Sequence, residues 1–256
     1  MSNKVNLPQF QDILRRATIN FSIDNVGMSF AGDRFEIGMR SSNAIVILKG
    51  ENNVISGISH TDTWDMNFSE PNKNVKAYFD LIIPDENDEA MIQMKDEKII
   101  VKSGTQKSNL FFCSEHLISK FMGSGPKTDG EEVYSMDITQ EFVDTFNLVK
   151  KVAGGFGKIY INVDDGVASI ESTDKTNSFS NGMKMAIGES GFDDVTICFD
   201  FKTFNNIMTL IGGDAIEFKI RVGYIPRSNG GMISFIKNDE SEKYFLMSKR
   251  EEHNVA

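Results

Sequence analysis

The chain has 256 residues, with 27 Lys and Arg against 37 Asp and Glu, a formal net charge of -10, and 40% hydrophobic residues. That is globular composition, so bulk disorder is excluded, and the length predicts two domains, with one large β domain as the other option. A surface this acidic repels nucleic acid on average, so any such role requires a local basic face or groove.

Residues 1–8 hold no apolar segment of the secretory kind. No apolar run reaches the roughly 20 residues needed to span a bilayer, so a soluble protein of a reducing compartment is expected. Phe10, Ile13, Leu14 and Ala17 follow at i, i+3, i+4 and i+7 and predict a first helix. Residues 27–37 read as strand, turn and strand, and 44–48 as a third strand. A weaker helical pattern on Val75, Phe79 and Ile82 stops before Pro84, which cannot continue a helix. The acidic run Asp85-Glu86-Asn87-Asp88-Glu89 lacks the central glycine of a calcium loop and reads as a solvated turn. Residues 90–101 form a hairpin with apolar arms and a polar turn.

The stretch 119–130 is rich in Gly, Ser, Pro and charge and reads as a connector. Phe121 and Met122 within it either pin the connector to the core or form an exposed apolar patch of the kind that binds partners. Phe142, Phe146 and Val149 predict a third helix. The glycines at 154, 155 and 157 close that helix and do not open one, the wrong context for a phosphate cradle. Residues 158–170 form a hairpin turning on Asp165-Gly166. Phe204, Ile207, Met208 and Ile211 predict a fourth helix, and strands are expected at 216–222, 232–236 and 243–247. Cys113 and Cys198 sit in apolar runs and are expected as buried free thiols. His60, His116 and His253 form no ligand cluster, so no metal site and no cofactor are expected. No nucleophile–base constellation emerges.

The order of elements repeats. Residues 7–117 run helix, strands, helix, strands, and 137–249 do the same, with Phe10, Leu14 and Ala17 matching Phe142, Phe146 and Val149 at a constant offset of 132. This predicts an α+β fold of two similar domains, residues 1–118 and 134–256, joined by a connector at 119–133. Charge divides along the same lines. Segments 7–20, 73–83 and 201–211 each carry +1 and 139–153 carries 0, so the four helical segments total +3 and the remaining chain -13. Turned with their apolar stripes down, the helices present Arg15, Arg16, Lys73, Lys76, Lys150, Lys151 and Lys202 on other faces. These are either ordinary solvated faces or a loose, sequence-independent phosphate surface.

The chain resembles a DNA sliding clamp, of the proliferating cell nuclear antigen class and particularly the two-domain clamps of tailed phages. The resemblance rests on element order, length and three stretches. Residues 243–252 are similar to the last strand and acidic tail of the nuclear antigen, with Met247-Ser248 where that protein has Ala-Pro. Residues 39–44 resemble its partner-pocket loop, and Ala17-Thr18-Ile19-Asn20 after the first helix is similar to the phage clamps. The resemblance implies repeated βαβββ units with helices lining a central hole and antiparallel sheets outside. It implies a homotrimeric ring that encircles double-stranded DNA, serves as a processivity factor for a replicative DNA polymerase, is opened by a clamp loader, and catalyses nothing. The seven helix cations then face DNA. Subunits pair through edge strands near 108–114 and 176–187, assigning Asn109, Leu110, Phe111, Phe112, Ser178, Phe179, Met183 and Met185 to the interface, although a locally covered edge is the other reading. A partner peptide is met by Met39, Ala44, Ile118, Phe121, Met122, Phe245, Met247 and Ser248. A phage source implies the cytoplasm of a host cell, and any other source the site of DNA replication. A non-encircling viral processivity subunit of the same fold, or an acidic β-rich phage protein without a DNA role, are the alternatives.

Overall fold

The structure is a computed structural model that describes residues 3–121, 123, 125–126, 130–153, 155–175, 182–192, 194–226 and 230–249. The chain divides into two compact units, Met1–Ser41 with Ile45–Ser124, and Ser42–Ala44 with Gly125–Ala256.

In the first unit β1 (Lys4–Asn6) runs into α1 (Leu7–Ala17). Then come β2 (Asn25–Ala31), β3 (Arg34–Arg40), β4 (Ala44–Glu51), a short β5 (Ile55–Ser56) and β6 (Thr63–Ser69). A π turn at Asn72–Lys76 leads into α2 (Ala77–Phe79), followed by β7 (Glu89–Lys95), β8 (Lys98–Ser103) and β9 (Gln106–Phe111). The second unit holds β10 (Glu131–Asp137), α3 (Gln140–Ala153), β11 (Lys158–Asp164), β12 (Val167–Ser172), β13 (Met183–Glu189) and β14 (Val195–Asp200). It continues with α4 (Phe201–Ile211), β15 (Phe218–Ile225), β16 (Gly230–Lys237) and β17 (Glu242–Met247).

Each unit is two βαβββ repeats that exchange their first strands. In the first, β1 joins β7-β8-β9 while β6 joins β4-β3-β2. In the second, β10 joins β15-β16-β17 while β14 joins β13-β12-β11. All of these pairings are antiparallel. The repeat of order read from the sequence is therefore a repeat of topology. The apolar stripes bury as their spacing requires: Phe10, Leu14 and Ala17 on α1, and Phe142, Phe146, Val149 and Ala153 on α3. Ile13 is the exception and stays half-exposed. One phenylalanine from each helix meets in each unit, Phe10 with Phe79 at 5.0 Å and Phe146 with Phe204 at 5.3 Å. Burying each such ring contributes about 1.5–3 kcal/mol.

Several elements differ from the sequence reading. The second helix is mostly a π turn, because burying Val75 and Phe79 needs only a four-residue step, which either winding supplies. β6 goes unread although Trp64, Met66 and Phe68 alternate with Thr63, Asp65, Asn67 and Ser69 as a half-buried strand requires. β10 begins inside the expected connector, at Glu131. The strand expected from 216 starts at Phe218, since Gly212–Glu217 winds as a 3-10 helix. Cys198 is buried, but Cys113 follows the end of β9 and is only half-buried, with burial pushing its thiol up. No helix among the described residues is long and apolar enough to cross a membrane.

Candidate functional site

The seven helix cations fall into two groups. In the first unit each is held by a carboxylate. Arg15 and Arg16 donate to the two oxygens of Asp12 at 2.7 and 2.8 Å. Burial alone would raise the Asp12 carboxyl, but the two guanidinium bonds outweigh it and hold the group below the usual carboxylate range. Lys73 pairs with Glu70, and Lys76 with Asp80, each at 2.5 Å. The Glu70 hydrogen bond raises the Lys73 ammonium.

In the second unit, Lys150 and Lys151 occupy the last turn of α3 and Lys202 the first turn of α4, all exposed. Among the described residues none of the three has an ion-pair partner. The nearest acid in sequence to Lys202, Asp200, is committed elsewhere. It caps α4 by accepting from the Thr203 N–H at 2.8 Å and the Thr203 hydroxyl at 2.9 Å, and it pairs with Lys249 at 2.6 Å. Partial burial pushes the Asp200 carboxyl up, but the Lys249 and Thr203 bonds prevail and hold it low.

The expected subunit-pairing strands are both sheet edges: β9 ends one sheet of the first unit and β13 one sheet of the second. On β9, Leu110 is buried in its own core, while Asn109 is exposed and Phe111 is 63% exposed beneath the Lys98 ammonium at 4.8 Å. Phe112 turns inward against Phe68. On β13, Met183 and Met185 are half-buried. Ser178 and Phe179 lie outside the described residues. A bulge offsets β13 from β12 between Ala168 and Ser169, and the Tyr134 hydroxyl donates to the Ile187 carbonyl beside it at 2.6 Å. Burial pushes that phenol up to about 12.

Sequence reasoning missed the apolar residues flanking these edges. Leu81 and Ile83 are 69% and 72% exposed, and the Gln106 amide ties both to the start of β9 by donating to the Leu81 carbonyl and accepting from the Ile83 N–H. Leu148 is 42% exposed on α3, which packs over β12 and β13. The legible signal was the run Leu81-Ile82-Ile83, since three consecutive apolar residues cannot all face one core.

The expected peptide pocket divides between the units. In the first, Met39 and Ile118 are buried, and the Met39 sulfur accepts the Gly27 N–H at 3.2 Å. Arg40 donates to the Ser119 carbonyl and Phe121 to the Gly38 carbonyl, both at 2.9 Å, so the connector begins as an added strand on β3. A Cβ on Gly38 would lie 2.0 Å from the Phe121 oxygen, so only glycine admits this approach. Phe121 and Lys120 border a cleft with Gly27, Glu36 and Asp65. Phe121 thus pins the connector and also borders a cavity. In the second unit Phe245 is buried and Ala44 is buried beside Asn43, whose carbonyl accepts from Met247. Ser248 bonds Gly231 in both directions. Met122 lies outside the described residues.

The carboxylates of Asp164 and Asp165, at the β11–β12 turn, and of Asp194, just before β14, come within 4.8 Å of one another, but all three residues are exposed and Lys184 pairs with Asp164. In sequence, the chain matches no protein-family model and no curated protein. In structure it is similar over nearly its whole length to clamps. It matches A. fulgidus PCNA, solved with the C-terminal region of FEN-1, at TM-score 0.62 and 14% identity, covering 99% of this chain and 100% of that one. It matches the B. subtilis DNA polymerase sliding clamp at TM-score 0.69 and 10% identity over 98% of this chain. The chain has the fold of a DNA sliding clamp. The H. pylori beta clamp in complex with 5-chloroisatin gives TM-score 0.66 at 12% identity over 99% of this chain. This chain spans 64% of the length of each of those two bacterial clamps.

Proposed function

We propose that the protein is a sliding clamp of DNA replication: a non-catalytic processivity factor whose copies close into a ring around duplex DNA and tether a replicative polymerase. The observation that carries this is the clamp fold over nearly the whole chain combined with two sheet edges, β9 and β13, that are unpaired among the described residues and flanked by exposed apolar side chains. Exposed edges of this kind are an aggregation hazard unless an assembly covers them. Two different edges on one chain favour head-to-tail association, which closes into rings. Three copies of a two-unit chain make the homotrimer. Leu81, Ile83 and Phe111 lie on one side of that joint, and Leu148, Met183 and Met185 on the other. A clamp loader opens the ring, and partner peptides dock beside Phe121, Met247 and Ser248, by analogy with the clamp bound to FEN-1.

Sedimentation at micromolar concentration tests the assembly. The expected species has about three times the 28.6 kDa chain mass, and Phe111→Arg returns it to a monomer with the fold intact. A wild-type chain that sediments as a monomer overturns ring closure. Retention on circular but not linear DNA after loading tests encirclement.

A further inference from the structure

Two helical runs share one spacing and differ in one group. On α1, Asp12-Ile13-Leu14-Arg15-Arg16 puts a carboxylate three and four residues ahead of two cations. On α3, Asn147-Leu148-Val149-Lys150-Lys151 puts a neutral amide at the same place. Residues three and four apart are neighbours on a helix surface, and in the first unit both contacts are made. The acids of α3, Glu141 and Asp144, lie near its start. Asp144 shares a face with Lys151 but stands seven residues earlier, about 10 Å along the axis. That is about a Debye length at ordinary ionic strength.

Net charge does not favour the second unit: by helical segment the first unit carries +2 and the second +1. Pairing is what distinguishes them. A free ammonium that neutralises a phosphate releases counterions from DNA. A cation already bonded to a carboxylate must give up that bond, and the carboxylate left behind repels the phosphate. Lys150 also stands with Asn147 and Thr209 at the rim of a groove between α3 and α4, above Phe146 and Met208.

We infer that the DNA phosphate contacts of this chain are concentrated on Lys150, Lys151 and Lys202 of the second unit, and that the Asp12/Asn147 difference sets the imbalance; the inference rests on the sliding-clamp reading. The reciprocal swaps Asp12→Asn and Asn147→Asp in the full-length chain test it, with a short mixed-sequence duplex titrated by fluorescence anisotropy over a range of salt. Asn147→Asp weakens binding and lowers the salt slope by about 1–2, and Asp12→Asn raises it by about as much. Changing Lys150, Lys151 and Lys202 together to Ala lowers the slope by about 2–3, while changing Arg15, Arg16, Lys73 and Lys76 together lowers it by less than about 1. Lys73, Lys150, Lys151 and Lys202 are exposed while Arg15, Arg16 and Lys76 are partly buried, so each set is compared only with its urea midpoint unchanged. Equal losses from the two alanine sets, or no response to either swap, overturn the inference and leave the clamp reading standing. No loss from either set, or no wild-type binding at the lowest salt, overturns the DNA reading and the inference with it.

Discussion

The first helix of one unit and the first helix of the other begin from similar stripes and end differently. α1 stops at Ala17, and the chain then passes through Ile19, Asn20 and Phe21 with φ of 48°, 54° and 61°, a left-handed turn made without glycine. Thr18 fastens it: its fully buried hydroxyl donates to the Leu14 carbonyl and accepts from the Phe21 N–H. α3 stops at Ala153, and the left-handed position at 157, with φ of 67°, falls on glycine. Their starts are alike, each with one capping bond, from the Gln9 N–H to Asn6 and from the Phe142 N–H to Thr139, whereas Asp200, capping the second unit's other helix, accepts three bonds. The same topology thus tolerates strain where side chains are well anchored and uses glycine where they are not.

The sharpest way to break this contrast is at the stronger cap. Asp200→Ala removes the bonds to Thr203 and Lys249 together, and the expected loss of stability is about 2 kcal/mol, the upper end for an N-cap. A urea midpoint unchanged within error would show that α4 is held by packing alone. The same carboxylate sets a pH dependence. Because its folded pKa lies below the ordinary value of 3.8, the stability it adds is present above that value and is lost as pH falls through the folded pKa. Asp12 has the same sign in the first unit. Urea midpoints measured down through pH 4 should therefore fall less steeply for Asp200→Asn and for Asp12→Asn than for the wild type.

Gly157→Ala has a smaller effect and isolates the backbone. No atom lies within 4 Å of the added Cβ, so the cost is conformational only, about 1–2 kcal/mol for a left-handed residue. A neutral result would mean that the end of α3 readily leaves that conformation.

Much of this plan was legible before any coordinates. Three helices and both hairpins follow from spacing and from Asp165-Gly166, whose two positive φ values fit the turn expected of them. The exchange of first strands was not legible, because it depends on pairings such as Val5 with Ala90 that no local pattern encodes. The same distance hid the need for glycine at 38, which is set by Phe121. At the candidate site, the positions of the seven cations could be read and their pairing could not. Summing charge by segment treats Asp12 and Asp144 alike, although only Asp12 stands within reach of its cations.

Asn6→Ala is the smallest change and tests the weaker cap. The Asn6 side chain offers one 3.0 Å acceptor to the Gln9 N–H, in solvent, and Pro8 already pre-sets the first turn of α1. Water can replace a single exposed bond, so the expected cost is about 0.5 kcal/mol, the lower end of the capping range. Phe10 and Leu14, fully buried, hold the helix regardless. If Asn6→Ala cost as much as Asp200→Ala, the difference in bond number between the caps would carry no energetic weight. The contrast between the helix starts would then reduce to packing.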